Sequence, residues 1–171
     1  MPLLHDFFRE IDARWNGPPG TRVRLRILGS SALILQTDYE RGTKDSDVLE
    51  THDVTADVKK RLLDLAGAGT DLHTRHRIYL DVVPNGIPFL PRRAVYHGLT
   101  DLNATLRHLA LEVLDVVDVV VAKLKRFHAN DRSDIAAMVD LDLVPHEQLV
   151  SRFREAADSF AGDARVEELP R

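Results

Sequence analysis

Two short groups of residues carry the chemistry this chain could perform. Gly29-Ser30-Ser31-Ala32 closes an alternating apolar segment, and Asp45-Ser46-Asp47 opens another. A glycine after a strand lets backbone amides approach an anion. Ser30 adds a hydroxyl, and a helix starting there adds a favourable dipole, so the turn can hold a phosphate. In a strand, residues two apart face the same side and lie ~6–7 Å apart. Asp45 and Asp47 can therefore lean onto one hard cation, Mg²⁺ or Mn²⁺. Such an ion takes one or two carboxylates and completes its shell with water and substrate phosphate. A third acid, Asp81, lies in Ile78-Tyr79-Leu80-Asp81-Val82-Val83. Alternation sends Ile78, Leu80 and Val82 to the core and Tyr79, Asp81 and Val83 to the opposite face. Burying an unpaired charge is costly. If this strand neighbours that of Asp45 and Asp47, three carboxylates converge, a set suited to two-metal chemistry at a phosphate. Each group also has a plain reading: acidic triplets occur in solvated turns and caps, Gly-Ser can be only a turn and a cap, and Asp81 can pair with Arg75 or Arg77.

The elements that must position these groups follow from periodicity. Leu3, Leu4, Phe7, Phe8, Ile11 and Trp15 form a helical stripe over residues 2–15, stopped by Gly17-Pro18-Pro19-Gly20. Arg22 to Leu28 alternates as a strand, and Ser30 is expected to cap a short apolar helix through Leu35. Asp45 to Leu49 reads as a strand, Val54 to Leu65 as a helix ended by Gly67 and Gly69, and Arg77 to Val83 as a strand. Residues 87–96 contain Pro88 and Pro91 and read as loop with a short edge strand at most. Leu106 to Val113 is expected as a strand. A helix from about Asp115 to His128 follows, with core stripe Val117, Val120, Leu124 and Phe127. After a break at Asn130 and Asp131 come helices over about 132–141 and 145–160. The polar tail beyond about 161 is expected to be disordered. The fold class is α/β (α+β): a small mixed sheet flanked by helices, residues 1–114, with a helical C-terminal part, 115–171, sharing one compact unit.

Composition narrows the function classes. The 171 residues are 44% hydrophobic, enough for one core. With net charge −4 and no cysteine, nucleic-acid binding must use a local patch, and thiolate chemistry and disulfides are excluded. No apolar run approaches the ~20 residues of a membrane span. His5, Asp6 and Arg9 stand where a signal peptide would be apolar, so a cytoplasmic location and no membrane partner are expected. There is no Walker loop, dinucleotide fingerprint or GxSxG elbow. His73-Thr74-Arg75-His76 offers two imidazoles without a third zinc ligand nearby and reads as solvated loop.

Leu28-Gly29-Ser30 followed by Asp45-Ser46-Asp47 resembles the signature of the nucleotidyltransferase superfamily that includes DNA polymerase β and the minimal nucleotidyltransferases. Arg41-Gly42-Thr43-Lys44-Asp45-Ser46-Asp47 is similar to the Arg-x-Thr-x-Asp-x-Asp form of the AbiEii-like toxin branch and related uncharacterised bacterial families. Val121 to Phe127, then Asp131-Arg132-Ser133-Asp134-Ile135, resembles the helical motif of those groups. The spacer after Ser30 is a little long, and Ser46 stands where an apolar residue is commoner.

The resemblance implies that Asp45 and Asp47 bind Mg²⁺ at a triphosphate, with Asp81 completing a second metal site or deprotonating the attacking hydroxyl. Gly29 and Ser30 would hold the β and γ phosphates, Lys123 and Arg126 would neutralise charge, and Asp134 would orient Lys123 or reach substrate. Read from the residues alone, Lys123 and Arg126 could instead be a solvated helix face. Asp131 and Asp134 could simply favour a helix N-terminus. The implied activity is transfer of a nucleoside monophosphate from an NTP to an RNA (tRNA-like) or protein acceptor. The implied setting is toxin–antitoxin or phage defence, with a cognate antitoxin or partner protein. The rivals are a non-catalytic nucleotide-binding or antitoxin-type protein of the same fold, and a metal-dependent phosphohydrolase.

Overall fold

Alternation in Arg22–Leu28 produces strand β1 (Val23–Ile27), with Leu25 and Ile27 fully buried, Arg26 half-buried between them and Arg24 exposed before them. The computed structural model describes residues 2–161. These form two units, one of residues up to 85 with 96–114, the other of 86–95 with residues from 115 on.

In the first unit, helix α1 (Pro2–Ala13) precedes β1, and α2 (Gly29–Gln36) follows it. Then come β2 (Asp45–Leu49), α3 (Ala56–Ala66), α4 (Asp71–His76), β3 (Tyr79–Val83), β4 (Tyr96–Gly98), α5 (Thr100–Asn103) and β5 (Leu109–Leu114). The sheet order is β3-β2-β1-β5-β4. Pairs β2–β3 and β1–β5 are parallel, while β1–β2 and β4–β5 are antiparallel. This is the mixed sheet with flanking helices that the alternating pattern implies. Most of the α1 stripe is buried as its spacing requires, Leu4, Phe7, Phe8 and Ile11 each being 1% exposed or less, whereas Leu3 is 45% exposed.

Asp12, on the same helix, is buried although it is an acid. Its carboxylate accepts the backbone N–H groups of Arg107, His108 and Leu109 at 2.8–2.9 Å. Those donors would otherwise be buried without partners, so a charged acceptor is stabilising there. The same bonds account for β5 starting at Leu109 rather than at the expected Leu106: the preceding backbone is spent on Asp12.

Residues 71–76 form α4 rather than the expected loop. Thr70 caps it, accepting from the His73 N–H at 3.2 Å, and Leu72 is fully buried beneath it. A cap plus one apolar anchor outweighs the weak propensity of this polar run. His73 Nδ1 accepts from the Gly69 N–H at 2.9 Å, and His76 Nε2 meets Glu10 Oε2 at 2.5 Å. Both imidazoles are thus engaged in structure.

The second unit contains α6 (Val116–Arg126), α7 (Ala129–Asp140) and α8 (His146–Ala161). Asp115 caps α6, accepting from the Val117 N–H at 2.9 Å. Val117 and Val120 are buried as expected, whereas Phe127 is 50% exposed. Phe127 ends α6 in the left-handed region, at φ 51°. The break therefore falls at Phe127-His128, and Asn130 and Asp131 lie inside the first turn of α7. The Asp131 carboxylate accepts the His128 N–H at 3.1 Å, which is why the acid starts a helix instead of interrupting one.

Asp118 is another buried acid in this unit. Arg152 of α8 donates to it from Nε and Nη2 at 2.8 and 2.6 Å, and the Val95 N–H donates at 2.9 Å. Arg152 Nη2 also reaches the Arg93 carbonyl at 3.0 Å. One bidentate pair thereby ties residues 93–95 to α6 and α8. The polar tail lies outside the described residues.

Candidate functional site

Parallel pairing of β2 with β3 sets Asp45 opposite Tyr79 and Asp47 opposite Asp81. Paired strands lie about 4.8 Å apart, so Asp45, Asp47 and Asp81 occupy one face of two adjacent strands. The opposite face packs inward: Ser46, Val48, Leu80 and Val82 are buried. Asp45 and Asp81 are exposed and Asp47 is partly covered.

The Gly-Ser turn abuts these carboxylates. The Leu28 N–H donates to the Asp47 carbonyl at 2.8 Å. Gly29 has φ +62°, and a Cβ placed on it would lie 3.4 Å from Asp47 Oδ2. Glycine adopts this left-handed conformation without strain and leaves the space beside the carboxylate open.

Ser30 does not cap α2, contrary to expectation. Leu28 is the N-cap, with no side-chain hydrogen bond. The Ser30 hydroxyl instead accepts from Arg41 Nη1 at 3.4 Å. Its neighbour Ser31 is buried and donates to the Asp45 carbonyl at 3.0 Å, and Thr43 Oγ1 donates to the same oxygen at 2.9 Å. Two hydroxyls thus pin the first residue of β2 by its backbone, leaving its side chain outside the ladder.

Alternation put Tyr79 on this face with Asp81, but nothing in the sequence assigned it a part in the site. The negative charge of Asp45, then burial, then Asp81 and Asp47 raise its pKa above the usual phenol value. All three carboxylates are therefore within electrostatic reach of one hydroxyl, which stays protonated at neutral pH. The signal was present in the alternation that placed Tyr79 beside Asp81, but its pairing with Asp45 depends on strand register.

The residues suit a hard divalent cation in one specific way. Asp45 and Asp47 offer oxygens on one open face, the kind of donor set Mg²⁺ takes when substrate and water supply its further ligands. Asp81 is in register with Asp47, but one of its oxygens accepts the Val82 N–H at 2.9 Å. Among the described residues no three His, Cys, Asp or Glu side chains form a group that could hold a metal ion. The face is an open carboxylate site rather than a closed cage.

Ser46 points to the core, and its hydroxyl has no hydrogen-bond partner among the described residues. A buried unsatisfied hydroxyl costs free energy that alanine avoids without changing the Cβ. Ser46→Ala is expected to stabilise the protein by about 1 kcal/mol, read as a higher denaturant midpoint with unchanged slope.

The other candidates lie in the second unit. Lys123 is 5% exposed, and its ammonium meets Asp131 Oδ1 at 3.1 Å and Asp134 Oδ2 at 2.8 Å. Arg126 forms a two-pronged pair with Asp131, both contacts 2.8 Å. Arg126, against burial and aided by Lys123 and the His128 N–H, holds the Asp131 carboxyl well below the usual carboxylate range. The solvated-face reading is correct for Arg126, whose side chain is 64% exposed, and wrong for Lys123. Asp131 is central here and had been read only as a helix-start residue.

Comparison with known proteins adds one match. The family model DUF6036, described as a nucleotidyltransferase of unknown function, matches residues 6–169. No curated protein and no solved structure matches the chain. The match supports the superfamily and leaves closeness to the AbiEii-like branch without support. No helix among the described residues is long and apolar enough to cross a membrane.

Proposed function

We propose, from the premise that this chain belongs to the nucleotidyltransferase family DUF6036, that it transfers a nucleoside monophosphate from an NTP to an RNA or protein acceptor. The supporting observation is the register that sets Asp47 opposite Asp81 with the open Gly29 turn against Asp47. Asp45 and Asp47 would hold Mg²⁺ or Mn²⁺, which supplies charge neutralisation at the phosphates. Gly29 and Ser30 bind the β and γ phosphates through backbone amides and the hydroxyl. The acceptor hydroxyl oxygen bonds to the α-phosphorus as the bond to the bridging oxygen breaks and pyrophosphate leaves. The hydroxyl proton passes to the free oxygen of Asp81. Positioning and electrostatics carry such a step, because the protein supplies no covalent intermediate.

The roles that the resemblance implies for Lys123, Arg126 and Asp134 are proposed with it. Asp134 orients Lys123 through its ion pair. Lys123 serves a phosphate only by relaxing its hold on Asp131 or Asp134. The Arg-x-Thr-x-Asp-x-Asp resemblance extends the proposal to a toxin–antitoxin or phage-defence setting with a protein partner.

The test is incubation with Mg²⁺ and each α-phosphate-labelled NTP, with and without total RNA. Label appearing in RNA or in a protein band, abolished by EDTA, is the expected result. NTP binding with no transfer to any acceptor overturns the reading in favour of a binding module of the same fold. Release of phosphate without an adduct overturns it in favour of hydrolysis.

A further inference from the structure

A cavity of 390 Å³ opens in the first unit among α1, the loop before β2 and the turn from α4 into β3. Its volume lies within the usual range for small-ligand sites. Leu3, 45% exposed, supplies an open apolar wall with Leu4 and Ile78 buried behind it, while Arg41, Arg75 and Arg77 bring three guanidinium groups to the cavity. Among the described residues no acidic side chain lines it, in a chain whose net charge is −4.

The three arginines differ in how their charge is used. Arg75 is already paired with Glu10 and Asp71. Arg41 donates to the Ser30 hydroxyl, so it links this cavity to the Gly29-Ser30 turn. Arg77 is exposed, and among the described residues its guanidinium makes no hydrogen bond or ion pair. Arg77 also occupies the left-handed region, φ 58°, at the end of α4. Glycine is the favoured residue there, and a non-glycine side chain costs roughly 1 kcal/mol. The Arg77 N–H donates to the His73 carbonyl at 2.7 Å and so closes α4, but the left-handed backbone brings an unpaired guanidinium to the cavity, and its charge gains nothing from partners among the described residues. That combination is characteristic of a site whose partner is a ligand.

The chemistry of the cavity selects the ligand class. A flat aromatic group fits against the open Leu3 side chain, and a guanidinium plane stacks on such a group or forks onto a phosphate. We propose that this cavity binds a nucleotide unit, with its base against the apolar wall and a phosphate at Arg77 and Arg41. This rests on the nucleotidyltransferase reading for its two available sources, the incoming NTP and the terminal nucleotide of an RNA acceptor.

Arg77→Gly provides the test, because it removes the guanidinium while relieving the backbone. Binding of an NTP and of a short single-stranded oligoribonucleotide is measured separately by calorimetry, without any transfer reaction. The full-length protein is used in each case. Arg77→Gly is expected to weaken one of the two by roughly tenfold, the loss of one charged hydrogen bond. Its melting temperature should be equal to or above that of the parent. Arg77→Lys should recover part of the affinity. Weakened NTP binding identifies the donor as occupant, and weakened oligonucleotide binding identifies the acceptor. Unchanged affinity for both overturns the proposal. Because binding is read directly, that result is distinct from failure of nucleotide transfer in the labelling assay.

Discussion

Asp47→Asn lowers the rate of nucleotide transfer by about a thousandfold or more, while the protein melts within a few degrees of the parent. A bound divalent ion supplies several kcal/mol at a phosphoryl centre, and each ~1.4 kcal/mol is a factor of ten in rate. Asparagine keeps the shape of the side chain and removes the charge that, under the proposed function, would hold the ion. Stability is little affected because β2 is attached through its backbone. The Asp47 carbonyl accepts the Leu28 N–H at 2.8 Å, and two hydroxyls hold the Asp45 carbonyl. Asp45→Asn should give a similar loss, and the double variant much less than the sum, because in the proposed site the two carboxylates would act on one ion.

A second readout is independent of activity. Asp47 is among the charges that raise the Tyr79 pKa, so Asp47→Asn should lower it in an ultraviolet titration of the phenol. Asp45→Asn should lower it further, because Asp45 is the largest cause. Transfer that survives in both single variants would remove these carboxylates from the mechanism.

Asp131→Asn destabilises the protein by about 3 kcal/mol, the usual cost of breaking one partner of a buried ion pair. Asp131 is fully buried and serves three donors: Arg126 in two-pronged fashion, the Lys123 ammonium and the His128 N–H. With Asp134 it balances two cations by two anions. Removing one anion leaves a surplus positive charge around the buried Lys123 ammonium and withdraws the bond that starts α7. A loss of this size lowers Tm by roughly 10 °C in a chain of this length.

The pH dependence has a definite sign. The folded pKa of Asp131 is depressed, so its contribution is fully present above the unfolded value near ~4 and is lost as pH falls below it. The difference in denaturant midpoint between parent and Asp131→Asn should therefore narrow as pH is lowered from about 5 toward 2. An Asp131→Asn protein as stable as the parent at pH 7 would show that the pair adds nothing net. Lys123→Met tests the other side of the same balance.

Much of this molecule was legible before folding because alternation and helical periodicity are local properties. Leu25 and Ile27 inward, and Ile78, Leu80 and Val82 inward with Asp81 outward, follow from the period of two in a strand. The α1 stripe follows in the same way from the period of a helix. The misread segments are those where a local signal was outvoted by a distant partner. Residues 71–76 are polar, yet Leu72 has a core to enter. Phe127 looks like the end of an apolar stripe, yet Asp131 holds the His128 N–H and turns the chain before the stripe is complete. Ser30 has the type of an N-cap, but its hydroxyl accepts from Arg41 instead.

By itself, then, the sequence determined which residues could do chemistry: Gly29 and Ser30 after a strand, two aspartates two apart, and a third in an apolar run. Residue type and period are enough for that, since they are set within a few positions of one another. Tertiary structure decided which of these meet. Asp47 lies opposite Asp81, and Tyr79 opposite Asp45, only because β2 and β3 are adjacent, parallel and in that register, and a shift of one residue would have turned the acids to the core. The burial of Lys123, Asp131 and Asp134, the triple bond acceptance by Asp12 and the unpaired Arg77 over an apolar cavity are likewise products of packing. Desolvation depends on what surrounds a side chain in space, and no local pattern contains that information.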